Sequence, residues 1–333
     1  MFLSIIIPHY NIDRTLLERC LDSISAVDLS PVKHETIIVD DGSEIPPVWV
    51  MEKYDSTKVR LIQSNHGGPG AARNIGIKEA TGRYIMFVDA DDYLINQNEL
   101  IGCIKILKKR MPQIMRYRYY VTDNSNTHST NKRHTINASS TMSGAQFMAN
   151  NNLPGSPCTY FFEKELAIKN GITFPAECLH EDEEFNTKLH LQATSLINSD
   201  ATLYCYCIRP GSTTSNPNPE FEKKRISDMM HAIERIKAYK DSSDSNCSDI
   251  QRLAIDRKLN TLAVDSIVNM LYTGLSASYI LQTCTKHLSP LSLYPIPRAS
   301  YSAKYIIFRI LANSRTGLKF LRAIIPNKKP RNR

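Results

Sequence analysis

Short apolar runs closed by turn residues alternate with stretches of helical spacing over the first third of the chain. Residues 3–7 read Leu-Ser-Ile-Ile-Ile and are stopped by Pro8, which predicts a strand. Leu16, Leu17, Cys20, Leu21 and Ile24 then recur at helical spacing. Strand-like runs follow at 36–39, 59–62 and 84–88, the last strongly apolar. Between the last two runs, residues 69–80 read as a helix, with Pro69 in its first turn and Gly82 just past its end. Leu100, Ile104 and Leu107 mark another helix.

This alternation predicts a parallel sheet covered by helices on both faces. Ligands of such sheets lie outside the carboxyl ends of the strands. Residues 8–11, 40–43 and 89–92 all fall there, so three strand ends are expected to converge on one site. Further along, 122–143 is polar, rich in Asn, Ser and Thr, and reads as a surface loop. Residues 161–171 read as a short helix ended by glycine, 183–193 as a second helix, and 203–208 as a strand running into Arg209. Cys205 and Cys207 on that strand are expected on opposite faces. Past the Pro-Asn-Pro stretch around Asn218 the pattern turns helical, which sets a domain boundary near Asn216.

Composition narrows the class. A chain of 333 residues holds one large domain and a smaller one. Hydrophobic content of 42% and charged content of 22% match soluble globular proteins. The 8 cysteines form no metal-binding spacing and read as reduced thiols of a cytoplasmic protein. The opening apolar segment is too short and too uncharged for a signal peptide. No run approaches the roughly 18 apolar residues that span a bilayer. The net charge of +8 is concentrated, with nine Lys or Arg and no acid in residues 304–333. The rest of the chain carries 32 basic against 33 acidic residues. A nucleic-acid enzyme would carry its basic surface across the cleft, so no nucleic-acid partner is expected.

Three acidic clusters then carry the chemistry: Asp40-Asp41-Gly42-Ser43, Asp89-Ala90-Asp91-Asp92 and His180-Glu181-Asp182. Unpaired carboxylates beside buried strands are costly, so their gathering points to cation binding or proton transfer. Asp89 and Asp91 offer the hard oxygen ligands that Mg2+ or Mn2+ takes, with water and diphosphate completing the shell. A helix-capping turn is the plain alternative. Asp41 could accept from a base N–H with Tyr10 stacked beside it, although Asp-Gly alone is a strong turn former. Gly67, Gly68 and Gly70 permit close backbone approach at a helix start, which favours an anion, and Arg73 adds a guanidinium. Neither a Walker loop nor a Rossmann fingerprint is present. Glu181 and Asp182 open a helix, where acids complement the dipole, and one of them could also take a proton from an attacking hydroxyl. Together these features point to a metal-assisted enzyme acting on a nucleotide diphosphate compound.

Over roughly 1–215 the chain resembles glycosyltransferase family 2, the inverting group with the GT-A fold. The resemblance rests on six motifs in order. They are Ile7-Pro8-His9-Tyr10-Asn11, Val39-Asp40-Asp41-Gly42-Ser43 and Gly70-Ala71-Ala72-Arg73-Asn74-Ile75-Gly76, then Asp89-Ala90-Asp91-Asp92, Glu181-Asp182-Glu183-Glu184-Phe185 and Arg209-Pro210-Gly211-Ser212-Thr213. It implies an α/β architecture with a Rossmann-like, mostly parallel sheet flanked by helices and a helical C-terminal extension. The implied catalytic domain is 1–215, with a nucleotide-sugar half at about 1–110 and an acceptor half at about 111–215. A helical region at 216–333 follows, ending in a basic amphipathic tail at 304–333.

The same resemblance implies residue roles. Tyr10 and Asp41 hold the uracil, with Pro8 and Asn11 in the same strand-end motif. Arg73, with Gly70, lies by the nucleotide and diphosphate. Asp91 is the main metal ligand, and Asp89, beside Ala90, assists at the ribose or metal. Asp182 is the catalytic base in preference to Glu181, and Arg209 and Ser212 belong to a segment that closes over the site. The implied reaction is a single inverting displacement dependent on Mn2+ or Mg2+. It moves a sugar from a UDP-sugar to a hydroxyl of a glycan or lipid-linked acceptor, in bacterial surface polysaccharide synthesis. Two departures from the family pattern leave the acceptor open. His180 stands where a glycine usually precedes the Glu-Asp pair, and Cys158-Thr159-Tyr160 replaces a frequent Trp.

In the tail, Ile307, Leu311, Leu318, Leu321 and Ile325 fall on one helical face beside Arg315, Lys319 and Arg322. Lys328-Lys329-Pro330-Arg331 follows. This pattern suits an anionic membrane surface and a peripheral place on the inner face of the cytoplasmic membrane. A helix packed on the catalytic domain would read the same way. Two rival functions stay open, a non-catalytic nucleotide- or glycan-binding relative and a sugar nucleotidyltransferase. The joint presence of Asp89, Asp91 and Asp182 speaks against the first, and the turn Pro8-His9-Tyr10-Asn11 against the second.

Overall fold

The computed structural model describes residues 1–29, 32–122, 136–176, 178–209, 218–243 and 247–326. Ser212, the basic run 328–331 and most of the loop expected at 122–143 lie outside the described residues. The chain forms two compact units, Met1–Phe147 with Pro154–Ile208, and Met148–Leu153 with Arg209–Arg333.

The first unit contains β1 (Leu3–His9), α1 (Arg14–Ser25), β2 (His34–Asp40), α2 (Val50–Lys53), β3 (Val59–Gln63) and α3 (Gly68–Glu79). Then come β4 (Tyr84–Phe87), β5 (Tyr93–Leu94), α4 (Gln97–Arg110), β6 (Ile114–Thr122) and α5 (Gly144–Asn150), whose end belongs to the second unit. A 3-10 turn at Pro157–Thr159 leads into β7 (Tyr160–Glu163), α6 (Lys164–Lys169), α7 (Glu181–Gln192) and β8 (Leu196–Cys207). The strands make one sheet in the order β3-β2-β1-β4-β7-β6-β8-β5. Pairs β1–β2, β2–β3, β1–β4 and β6–β8 are parallel; β4–β7, β6–β7 and β5–β8 are antiparallel. The expected α/β sheet with flanking helices is therefore present as a mixed sheet.

Register explains where a site forms. His9 lies opposite Asp40, and Ile6 lies opposite both Ile37 and Phe87. The chain runs from β1 to β2 and β3 on one side and then places β4 on the other side of β1. That reversal makes the ends of β1 and β4 the switch point of the sheet, the usual ligand position of such folds. The strands leading there are rigidly buried, with Ile5, Ile6, Ile7, Ile37, Ile38, Val39, Met86 and Phe87 sealed from solvent. Each such side chain contributes about 1.5–3 kcal/mol by burial. Helix α3 lies hard against β1, since a Cβ on Gly76 would stand 2.3 Å from Ile6 Cγ2.

Some expectations are corrected. The helix expected over 161–171 is β7 followed by the short α6. Tyr160, Phe161 and Phe162 are β-favouring aromatics, and they insert between β4 and β6. Strand β6 escapes a periodicity reading because Arg and Tyr alternate over 116–119 and residues 118–121 are exposed. Cys205 and Cys207 share one face, packed with Tyr93. Side chains two apart on a strand point the same way, so the expectation of opposite faces fails on strand geometry.

The described part of the second unit is helical: α8 (Pro219–Ser243), α9 (Asp249–Tyr272), α10 (Ala277–Thr283) with a π turn at Cys284–Leu288, α11 (Ala303–Ala312) and α12 (Arg315–Ile324). The single tail helix expected from spacing is thus two helices. Ser314 accepts from Gly317 N–H as the cap of α12, and the Asn313 side chain exchanges hydrogen bonds with the backbone of Ile296. Leu318 and Leu321 are buried while Ile307 is exposed, so the expected apolar face is split between core and surface. No described helix is long and apolar enough to cross a membrane.

Candidate functional site

At the end of β2, Asp40 is a brace. Its Oδ1 accepts from Ser43 Oγ at 2.5 Å and lies 3.0 Å from His9 Nδ1. The Asn11 N–H donates to Ser43 Oγ, and Asn11 Oδ1 accepts from Glu44 N–H, each at 2.9 Å. These bonds lock the turn after β1 to the turn after β2. Pro8, opposite Val39, is the next-to-last residue of β1.

Asp41 performs a different task. Its Oδ1 accepts from Gly67 N–H and its Oδ2 from Gly68 N–H, both at 2.9 Å, so the carboxylate caps the start of α3. His66 Nδ1 lies 2.9 Å from Oδ2. Gly68 needs its φ of +85° for this approach. Tyr10, 45% exposed, stacks on His66 with ring centroids 4.3 Å apart. An aromatic surface open to solvent therefore sits beside Asp41.

One turn into α3, Arg73 is buried and bridges two acids. Nη2 donates to Asp89 Oδ1 at 2.8 Å, and Nη1 donates to Glu181 Oε1 at 2.9 Å. Burial opposes its charge, but Asp89 and Glu181 outweigh that and raise its pKa. The guanidinium expected beside a diphosphate thus ties the turn after β4 to the start of α7. Neighbouring contacts hold that junction. Asn74 Nδ2 donates to the Phe174 carbonyl at 2.8 Å, and Phe174 N–H donates to Asn74 Oδ1 at 2.9 Å. Phe174 stacks on Phe185 at 3.8 Å. A Cβ on Gly70 would stand 3.0 Å from Glu181 Cγ, so α3 and α7 meet closely there. His180 enters α7 with φ +64°, the left-handed conformation that favours glycine.

Beyond β4, Asp89 and Asp91 are half-buried and Ala90 is buried. Arg19 Nη2 donates to the Asp91 carbonyl at 2.6 Å. Asp92 turns inward. Its Oδ1 accepts from Cys207 N–H at 2.7 Å and its Oδ2 from the Tyr204 hydroxyl. Burial, then the charges of Asp89 and Asp91, push its carboxyl up to about 8. Three acids therefore crowd one turn. Among the described residues no group of three or more His, Cys, Asp or Glu forms a metal cage. The donors present fit a cation bound by one or two carboxylates, Asp91 and the second oxygen of Asp89, with diphosphate and water as its remaining ligands.

Asp182 lies half-buried in the first turn of α7. A Cβ on Gly155 would stand 2.8 Å from Glu183 Oε1 and 3.6 Å from Asp182 Oδ2, so the approach to β7 passes over these acids at a glycine. Asn186 donates to the Gly155 carbonyl and accepts from the Tyr160 hydroxyl. Burial raises the Tyr160 pKa, and the nearby charge of Asp182 adds to the effect.

Contacts thus run from Tyr10 through His66 and Asp41 into α3, and from Arg73 to Asp89 and to Glu181, the neighbour of Asp182. Arg209 begins the second unit. Sequence reasoning assigned no role to His66, Asn74, Phe174 or Asp92. Asn74 carried a signal, a polar residue beside Arg73 in a small-residue helix. Phe174 carried none.

The family model described as Glycosyl transferase family 2 matches residues 4–170. Poly(ribitol-phosphate) beta-N-acetylglucosaminyltransferase TarS of Staphylococcus aureus is 28% identical over 235 residues, covering 68% of this chain and 40% of that protein. Poly(ribitol-phosphate) beta-glucosyltransferase of Bacillus spizizenii is 29% identical over 250 residues, covering 70% and 37%. The crystal structure of S. aureus TarS 1–349 superposes with TM-score 0.65 at 18% identity, over 97% of this chain and 90% of that one. The same fragment in complex with UDP-GlcNAc gives 0.56 at 20% identity, over 87% and 90%. Mannosyltransferase PcManGT of Pyrobaculum calidifontis, in complex with GDP-Man and Mn2+, gives 0.56 at 16% identity, over 97% and 86%. These likenesses show the fold. The chain spans about 40% of the length of the curated relatives named here.

Proposed function

The chain belongs to glycosyltransferase family 2, and from that membership we propose that its first unit moves a sugar from a UDP-sugar to an acceptor hydroxyl. The acceptor is a glycan or lipid-linked polymer of a bacterial surface polysaccharide. The relatives' names make a polyol-phosphate chain the first acceptor to try, and N-acetylglucosamine and glucose the first sugars. One observation carries the reading. The buried bridge from Asp89 through Arg73 to Glu181 draws the acids after β4 toward the helix start that bears Asp182.

The geometry supports the following roles. Tyr10 offers its exposed face to the uracil, and Asp41 Oδ1, with one lone pair left after Gly67, accepts from the uracil N–H. Asp182 takes the proton of the acceptor hydroxyl, since Glu181 is committed to Arg73. The hydroxyl oxygen attacks the anomeric carbon opposite the diphosphate, so that carbon inverts and no protein nucleophile is used. Mn2+ or Mg2+ held by Asp91, with Asp89, would supply Lewis-acid neutralisation of the leaving diphosphate. Gly155 and Glu183 flank Asp182 on the acceptor side.

The test is nucleotide release from a panel of UDP-sugars with poly(ribitol phosphate), in Mn2+ and in EDTA. Acceptor-dependent UDP release with one donor, lost in EDTA, is expected. Pyrophosphate, or no nucleotide product from any donor, would contradict the proposal.

A further inference from the structure

The last two helices leave a set of apolar side chains in water. In α11, Ile306, Ile307 and Ile310 are 39%, 60% and 60% exposed, and in α12, Phe320 and Ile324 are 53% and 58% exposed. Single exposed apolar residues are ordinary, but three on one side of α11 and two a turn apart on the adjoining α12 mark an interaction surface. The helices beneath it are firmly seated. A Cβ on Gly317 would stand 2.1 Å from the Leu311 carbonyl oxygen, so α11 and α12 are in close contact. Ala312, Leu318 and Leu321 are buried, and the Tyr294 hydroxyl donates to the Ala312 carbonyl at 3.0 Å. Of the face that spacing singled out, Ile307 belongs to this exposed set, whereas Leu318 and Leu321 serve the core.

Charge identifies what this face meets. No Asp or Glu occurs after Asp265, while residues 266–333 carry eleven Lys or Arg. Around the turns of α11, Ile306, Ile310 and Ile307 lie in an arc between Arg309 and Lys304. In α12, Phe320 and Ile324 lie together on one side, and Lys319 is exposed across Thr316 and Ala323 from them. A second copy of the chain would set like charge against like. A bilayer with anionic headgroups offers an apolar layer for the isoleucines and negative charge for the basic flanks.

We infer that α11 and α12 dock the protein onto an anionic phospholipid bilayer. Ile306, Ile307, Ile310, Phe320 and Ile324 enter the acyl boundary, and Lys304, Arg309 and Lys319 meet the headgroups. The inference is independent of the activity proposed above, and its test reads binding alone. The full chain is floated with phosphatidylcholine vesicles, with and without phosphatidylglycerol, at low and high salt. Binding to the anionic vesicles only, weakened by salt, is expected. The doubly substituted I307D/F320D is expected to lose at least tenfold in partitioning, and K304Q/K319Q about fivefold per charge removed. Both pairs are surface positions, so circular dichroism melts should match the unsubstituted protein. Equal flotation of all forms, or no flotation of the unsubstituted chain, would overturn the inference. So would a concentration-dependent dimer abolished by I307D/F320D, which would assign the face to a second copy.

Discussion

Replacing Arg73 by Ala tests whether the site is held together by the buried bridge. The side chain is 7% exposed, and its partners Glu181 and Asp89 are 10% and 31% exposed. Removing it strands the Glu181 carboxylate in a site with little water, whereas Asp89 recovers part of its hydration. Loss of one partner from a buried pair costs about 3–5 kcal/mol, and partial hydration of Asp89 places Arg73→Ala near the lower end. At about 2–4 °C per kcal/mol for a unit of this size, the melting temperature should fall by roughly 6–15 °C. Urea denaturation should show the same loss as a lower midpoint at an unchanged slope. The double variant Arg73→Ala/Glu181→Ala should be less destabilised than the two single effects summed, since it strands fewer charges. A melting temperature within roughly 2 °C of the unsubstituted protein, or strict additivity, would show that the bridge does not hold the site.

Three other substitutions follow from single contacts. Asp92→Asn keeps a side chain of the same shape with no charge and should match or exceed the unsubstituted protein in stability at pH 7, whereas Asp92→Ala takes the acceptor from Cys207 N–H and from the Tyr204 O–H and should lie about 2–4 kcal/mol below Asp92→Asn by urea denaturation. Because the Asp92 carboxyl is pushed from 3.8 up to about 8, the unsubstituted protein should lose stability relative to Asp92→Asn as pH rises from about 4 to about 8. Gly76→Ala drives a Cβ into Ile6 and should destabilise by about 1–3 kcal/mol despite its better helix propensity. Tyr10→Ala removes an exposed ring and should leave the melting temperature unchanged, while UDP binding by calorimetry weakens by about 1–3 kcal/mol.

The half of the sheet from β1 to β4 was legible because its strands are continuous apolar runs stopped by Pro8, Asp40 and Asp89. The other half was not. Strand β7 is an aromatic triplet that joins directly to α6, and β5 has only two residues. At the site, residue types at strand ends pointed to Tyr10, Asp41, Asp89 and Asp91. Their partners were hidden, because the Arg73–Glu181 bond joins residues 108 apart. Nothing local to either residue states that they meet. The left-handed backbone at His180 gives a physical reason for the glycine usual there, which the sequence displayed only as a departure. In the tail, helical period identified apolar residues but not which would face water, and the capping Ser314 divides the helix between two such residues.

Transfer by Asp182→Asn tests whether Asp182 works as the base of one UDP-sugar site. The variant keeps size and polarity but cannot accept the acceptor proton. UDP-sugar affinity and melting temperature should stay as they are while acceptor-dependent transfer falls about 100- to 10,000-fold. Transfer within about tenfold of the unsubstituted enzyme would contradict that role.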